Sequence, residues 1–564
     1  MKKNNFWMVH FAEFFGISVL VFLTHFFIIP VGLALLSADG AIYPIVGDLI
    51  RKGHWMTFQL QDTYGGTALS VVRAGWVSLW EYFSSAPFSD LDYQHAHFSF
   101  SFLIVPIFIA ISYVFLLRSY CSKRAAWIVA IIAAFDFNSR IMMGDSEFIG
   151  FYLIFGSLFL SFRARYKNPF TQMSLSGIFI AAVVSGFSVY TSRACLVFVC
   201  AFFIPWSWVW NEFLLLIRTP FRHKNIIMTL AFILAFFGLY LEMIGPDMGM
   251  IFGRRVKVHA THNFHYAIEI LAFIWLFLYW RRIKKTHVLR VVLMGFGFFI
   301  GFLPEILFFW RRNGSFPSLM YGSNYSFEES MGVLGKTPRV IFEIIGGGTG
   351  FLRNFSALLI IFSVLALIKE ARRNRKLDPV IIAGVLAIIA YTRVFTYTII
   401  APSRYLLPIF PALIVAIGVF LDSLKTRRAW AFTLSLIFLH LGHQVYERVL
   451  IIRESKLSGR VEEIRGTVLA FRKAGVDTVI SDDFWKSNQY TVGGQHNPFF
   501  ASPEHLQVVP AEAVEQAMHR SRVGVLLSAE KIQQREVSFF GNRYSLTSMK
   551  QIGDRKLFIG QKLN

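Results

Sequence analysis

The sequence predicts an α-helical polytopic membrane protein of about 13 spans, carrying a small C-terminal extracytoplasmic α/β domain. Three observations lead there. Of 564 residues, 55% are hydrophobic, 61 are Phe, and the mean hydropathy is +0.52. A soluble chain cannot bury that much apolar surface. The apolar runs are continuous rather than alternating, which excludes spanning β-strands. Second, basic residues cluster in every other short loop. Third, the composition turns charged after residue 447.

The spans are expected near 11–37, 99–117, 125–141, 146–162, 172–190, 194–214, 226–245, 265–280, 288–309, 355–369, 379–397, 405–421 and 430–447. Each run approaches or exceeds the roughly 18 apolar residues that a crossing needs. The third is the weakest. Its clean core ends at Phe135, so it must continue through Asp136 and Arg140.

Orientation follows from the loops. Lys2 and Lys3 precede the first run, and basic clusters recur at 118–124, 163–167, 218–224, 281–290, 369–376 and 425–428. The positive-inside rule places these in the cytoplasm. The net charge of +22 is thus topogenic, and nucleic acid is not expected as a partner. The N-terminus lacks a small-residue cleavage site and reads as a retained anchor. Three cysteines, Cys121, Cys195 and Cys200, show neither metal spacing nor a disulfide framework.

The transmembrane unit, 1–447, then carries three long outer segments, 38–98, 245–264 and 310–354. The first is rich in Trp, Tyr, Phe and Gly, which suits short helices lying in the interface. Residues 448–564 form the second unit. There Arg460 to Ala474 has helical periodicity, Val476 to Ser481 and Val523 to Ser528 read as strands, and Tyr544–Met549 with Lys556–Gly560 reads as a hairpin.

Asp39 follows the first apolar run directly. An acid where a helix leaves the membrane is either a solvated end residue or a functional group. At that depth it can serve as the base that deprotonates an acceptor. A second constellation is Asp136, Asp145 and Glu147, around the short turn after the third span. Carboxylates two residues apart can hold a divalent cation, orient a substrate hydroxyl or face water. A third is cationic: Arg404 in Ser403-Arg404-Tyr405-Leu406-Leu407-Pro408, with Arg254, Arg255, Lys257, Lys336 and Arg339. Such groups stabilise a phosphate leaving group or anchor to lipid headgroups. His259, His262 and His265 lack the zinc-helix spacing, and the glycines at 346–350 read as a hinge.

Taken together, these segments resemble the GT-C superfamily of integral-membrane glycosyltransferases, which includes protein mannosyltransferases, aminoarabinose transferases and oligosaccharyltransferases. The matching features are Asp39 after the first span, a large first outer segment, the acids Asp136, Asp145 and Glu147, the 403–411 segment and a C-terminal domain. Two departures leave the branch open. Gly40, not Glu, follows Asp39, and no Trp-Trp-Asp occurs in the C-terminal unit.

The resemblance implies glycosyl transfer from a polyprenyl-phosphate-linked donor to a lipid, glycan or protein acceptor, on the outer face of a bacterial cytoplasmic membrane. Asp39 would be the base. Asp145 and Glu147 would contact substrate or a divalent cation, which only some branches need. Two other readings are a transporter or flippase of a lipid-linked substrate, and a surface-polysaccharide polymerase or ligase. Asp482-Asp483-Phe484-Trp485 is expected to be a strand-end turn packing on a helix.

Overall fold

The computed structural model describes residues 4–35, 38–53, 68–84, 89–136, 153–166, 168–204, 218, 249–251, 254–256, 285–313, 335–341, 353–394, 403–495, 497–502, 519–528, 536–539, 541–552 and 555–563. Helices dominate up to residue 457, and a mixed sheet follows.

The first apolar run is not one regular helix. Helix α1 (Asn4–His25) gives way to a 3-10 turn (Phe26–Val31) and the short α2 (Gly32–Leu35). The break surrounds Pro30, which has no N–H to donate to an α-helical ladder. Next come α3 (Ala38–Arg51), α4 (Ala68–Phe83) and α5 (Asp90–Ser99). The second span therefore begins well before residue 99. A capping box starts α5: Ser89 accepts from the Asp92 N–H, and the Asp92 carboxylate accepts from the Ser89 N–H. From α5 the helix runs through a π-turn (Phe100–Ile104) into α6 (Val105–Tyr120) without leaving the axis.

Further helices are α7 (Lys123–Asp136), α8 (Leu153–Arg163), α9 (Pro169–Gln172), α10 (Leu175–Thr191) and α11 (Leu196–Phe203). They are followed by α12 (Lys285–Asn313), α13 (335–341), α14 (Arg353–Ala371), α15 (Asp378–Val394), α16 (Phe410–Ser423) and α17 (Arg427–Leu457). Among the described residues, four segments are long and apolar enough to cross a bilayer: Phe14–Leu35, Asp90–Tyr120, Thr286–Leu307 and Leu406–Ser423. The runs expected at 226–245 and 265–280 lie outside the described residues.

Helices α10 and α12 touch backbone to backbone. A Cβ on Gly301 would sit 2.0 Å from the Val183 carbonyl oxygen, and one on Gly186 would sit 2.1 Å from that of Phe298. Small residues permit such contact where no hydrophobic effect drives helices together. The outer face of α12 presents Val291, Val292, Phe296 and Phe299, as a lipid-facing helix should.

Helix α17 is 31 residues long and runs through the boundary expected at 447/448. Beyond its C-cap Ser458 the chain turns at Gly459, whose φ of +59° suits a residue without Cβ. Then come α18 (Arg460–Lys473), β3 (Thr478–Ser481), α19 (Phe484–Gly493), β4 (Phe499–Ala501), β5 (Arg522–Ser528), β6 (Glu536–Phe539), β7 (Asn542–Ile552) and β8 (Arg555–Lys562). The strand order is β4-β3-β5-β8-β7-β6, parallel for β4-β3-β5 and antiparallel beyond. A separate two-stranded ladder, β1 (Gly249–Ile251) with β2 (Arg254–Val256), interrupts the 245–264 segment.

Asp482 and Asp483 are structural. Arg555 pairs with both, Asp482 Oδ2 accepts from the Ser528 N–H, and Asp483 caps α19 by accepting from the Lys486 N–H. The C-terminal unit is not a separate lobe. One apolar cluster joins Ile28 and Leu33, Ala41 and Ile45 of α3, and Tyr93 of α5 to Ile451, Val461, Ile464, Val468 and Phe471.

Candidate functional site

The segment between the first and second spans folds as a three-helix platform. Helix α3 begins two residues after α2, and the backbone of Asp39 lies in its first turn. Toward the other end of α3 is Asp48, which is 5% exposed. Its carboxylate accepts from the Tyr93 hydroxyl of α5 and, at 3.0 Å, from Arg51 Nη1. Arg51 also reaches α4, donating to Glu81 and, at 3.2 Å, to Ser78 Oγ.

Beneath this lies Arg73 of α4, only 1% exposed. Its Nη1 is 3.3 Å from His97 Nδ1, and its Nη2 donates to Ser101 Oγ at 2.5 Å. The guanidinium also stacks over the Phe100 ring at 5.2 Å. On the other side of the imidazole, His97 Nε2 is 3.6 Å from Asp48 Oδ1. The tautomer that fits accepts from Arg73 at Nδ1 and turns an Nε2 proton toward Asp48. The imidazole thus lies between α4 and α3, hydrogen-bonded to Arg73 and within 3.6 Å of the Asp48 carboxylate.

Electrostatics explains how Arg73 remains a cation there. Burial pulls its guanidinium down to about 9, opposed by Tyr93, Asp48 and Tyr43. It is therefore still charged at neutral pH, with Asp48 as an acidic counterweight. Trp76 adds another tie, donating from Nε1 to the Ala96 carbonyl at 3.1 Å and to Ser99 Oγ at 3.0 Å. Gly47 lets α3 approach α4, since a Cβ there would lie 3.3 Å from the Ser70 carbonyl oxygen.

The other residues singled out in the sequence are placed as follows. Asp136 is the last residue of α7, and Arg404 lies in a 3-10 helix, Ser403–Ile409, leading into α16. Arg254 and Arg255 form two of the three residues of β2. Arg339 and Lys336 are on exposed positions of α13. Asp145, Glu147 and Lys257 lie outside the described residues, as do the side chains of Asp39, Asp136, Arg254, Arg255 and Arg404. The shared cavity expected for Asp39 and these acids therefore falls there too.

Sequence reasoning missed Asp48, Arg73, Tyr93 and His97. The signal was present: Tyr93 and His97 are spaced i, i+4, and Asp48 and Arg51 i, i+3, so each pair shares a helix face. It was hidden because the segment was read by composition, not period.

Neither a family model nor a curated protein matches this sequence. Solved structures do match. The crystal structure of ArnT from Cupriavidus metallidurans bound to undecaprenyl phosphate is 12% identical, with a TM-score of 0.51, covering 98% of this chain and 98% of that one. The apo structure of the same protein gives 11% identity, a TM-score of 0.51, and coverage of 99% and 98%. The likeness is one of fold, and it spans both chains end to end. The GT-C resemblance read from the sequence is thus matched in architecture, C-terminal unit included.

Proposed function

We propose that the protein is a membrane glycosyltransferase that takes a glycosyl group from a polyprenyl-phosphate-linked donor. The observation carrying this reading is the end-to-end match to a fold solved with undecaprenyl phosphate bound. Asp39 is the base. Its backbone lies in the first turn of α3, just after the apolar segment that ends at Leu35, and a base there would meet a donor headgroup held by its lipid tail.

In this mechanism Asp39 takes the acceptor's proton as the acceptor oxygen attacks the anomeric carbon. The bond from that carbon to the phosphate oxygen breaks, and the lipid phosphate leaves with the electron pair. One direct displacement inverts the anomeric centre. Arg404 is the first choice for stabilising the departing phosphate, with Arg254, Arg255, Lys257 and Arg339 as further cations. Asp136, Asp145 and Glu147 orient the acceptor or hold a divalent cation.

The protein works as a multi-pass protein of a bacterial inner membrane, with the 38–98 segment and the C-terminal unit outside. Their shared apolar cluster supports a common side for both. The test is transfer of labelled sugar from a polyprenyl-phosphate donor by the purified chain, with undecaprenyl phosphate as competitor. Turnover that Asp39→Asn abolishes supports the reading. Undiminished transfer by Asp39→Asn removes that residue's role, and no binding of undecaprenyl phosphate removes the donor class.

A further inference from the structure

The C-terminal unit touches the α3 platform through three independent kinds of contact. The first is apolar: Ala41 and Ile45 of α3 share a cluster with Val461, Ile464 and Val468 of α18. The second is the packing of α19 against α3, with a Cβ on Gly493 3.4 Å from Leu33 Cδ2 of the adjoining α2. The third is polar and converges on α5. Arg472 Nη1 and Nη2 reach Asp90 at 2.5 Å and 3.2 Å, and Gln495 Nε2 donates to Asp90 Oδ1 at 2.7 Å. Gln94, 3% exposed, donates to the Gly493 carbonyl and accepts from Arg465 Nη2, both at 3.3 Å.

One backbone detail singles out this junction. Gln495 has φ of +50°, alone among the described non-glycine residues in that region. Such a conformation costs about 1–3 kcal/mol and persists where surrounding contacts hold it. Here the contacts are the side-chain bond to Asp90 and the bond from the Gln495 N–H to the Val492 carbonyl.

Helix α5 is thus a strut. Asp90 and Gln94 meet the C-terminal unit, while Tyr93 and His97 meet Asp48 of α3. We propose that the C-terminal unit is a clamp that fixes α3 in place through α5, with Asp90, Gln94, Arg472 and Gln495 as positioning residues for Asp39. The clamp follows from the contacts alone; its bearing on catalysis rests on the reading of Asp39 given above. Reacting groups tolerate little displacement, since about 1 Å of misplacement can cost about a hundredfold in rate.

The experiment uses the full chain in lipid nanodiscs. Amide exchange of peptides covering 38–51 is followed by mass spectrometry in wild type, Asp90→Ala, Arg472→Ala, the double variant and Asp90→Glu. The same samples are assayed for transfer. Expected are faster exchange of α3, by about tenfold, in both single variants, no further rise in the double, and recovery in Asp90→Glu. The turnover number should fall in step by about tenfold, with KM little changed. Unchanged α3 exchange in both single variants overturns the clamp, whatever the activity. Faster exchange with an unchanged turnover number overturns the link to Asp39. Absence of transfer by wild type counts against the proposed function instead, and the exchange data still decide the clamp.

Discussion

At the scale of single residues, Arg73 shows how a helix keeps a buried charge. Its two terminal nitrogens serve different partners, His97 and Ser101. A lysine has one point-like ammonium and cannot span both. Arg73→Met should therefore lower stability by about 1–3 kcal/mol, because His97 and Ser101 lose their buried donor. Arg73→Lys should recover only part of that. Thermal unfolding in detergent measures both, and a melting temperature unmoved by Arg73→Met would show the network to be idle.

Tyr490, fully buried in the C-terminal unit, gives a pH prediction. Burial, the 2.7 Å hydrogen bond it donates to Glu463 and that carboxylate's charge push its phenol well above the ordinary 10.0. A pKa raised in the folded state means that the unfolded phenol ionises first as the pH rises. Its contribution is intact below about pH 10 and declines above it. Melting temperatures measured from pH 9 to 11 should fall less steeply in Tyr490→Phe. None of these partners was legible beforehand. The position of Asp39 after an apolar run is visible without tertiary information, whereas a hydrogen bond between residues 73 and 97 is not.

At the scale of elements, local rules were present but unevenly read. Pro30 breaks the first helix, and the Ser89/Asp92 pair starts α5 nine residues early, each by well-understood backbone chemistry. Apolarity alone hid both, since it reports where lipid is and not where helices start. The strands and the helix at 460–473 were read closely, because period and turn residues agree there. Helix α12 offers a paired test. Gly301→Ala drives a Cβ into a backbone carbonyl and should cost about 1–3 kcal/mol. Gly295→Ala, with nothing within 4 Å, should be neutral or stabilising by up to about 1 kcal/mol. Equal melting temperatures for the two would contradict the close α10–α12 contact.

At the scale of the whole molecule, the alternating basic loops predict sidedness. Asp477 is half exposed in the C-terminal unit, and Lys425 is exposed just before α17. In spheroplasts, Asp477→Cys should react with an impermeant maleimide, whereas Lys425→Cys should react only after permeabilisation. The reverse pattern would invert the topology. Class and order of units were readable because hydropathy and charge are summed over whole segments. How the two units meet was not, since Asp90 and Arg472 are 382 positions apart.

Helix α17 has a mechanical consequence. Its 31 residues reach about 46 Å at 1.5 Å each, well beyond a hydrocarbon layer of about 30 Å. It is a continuous helix that leads into the sheet-bearing unit, with no break on the way. Splicing one extra residue into 448–456 would turn the cargo about 100° and raise it about 1.5 Å. Seven would nearly restore the heading while lifting it about 10 Å. Rotational phase and height can thus be dialled separately by insertion length.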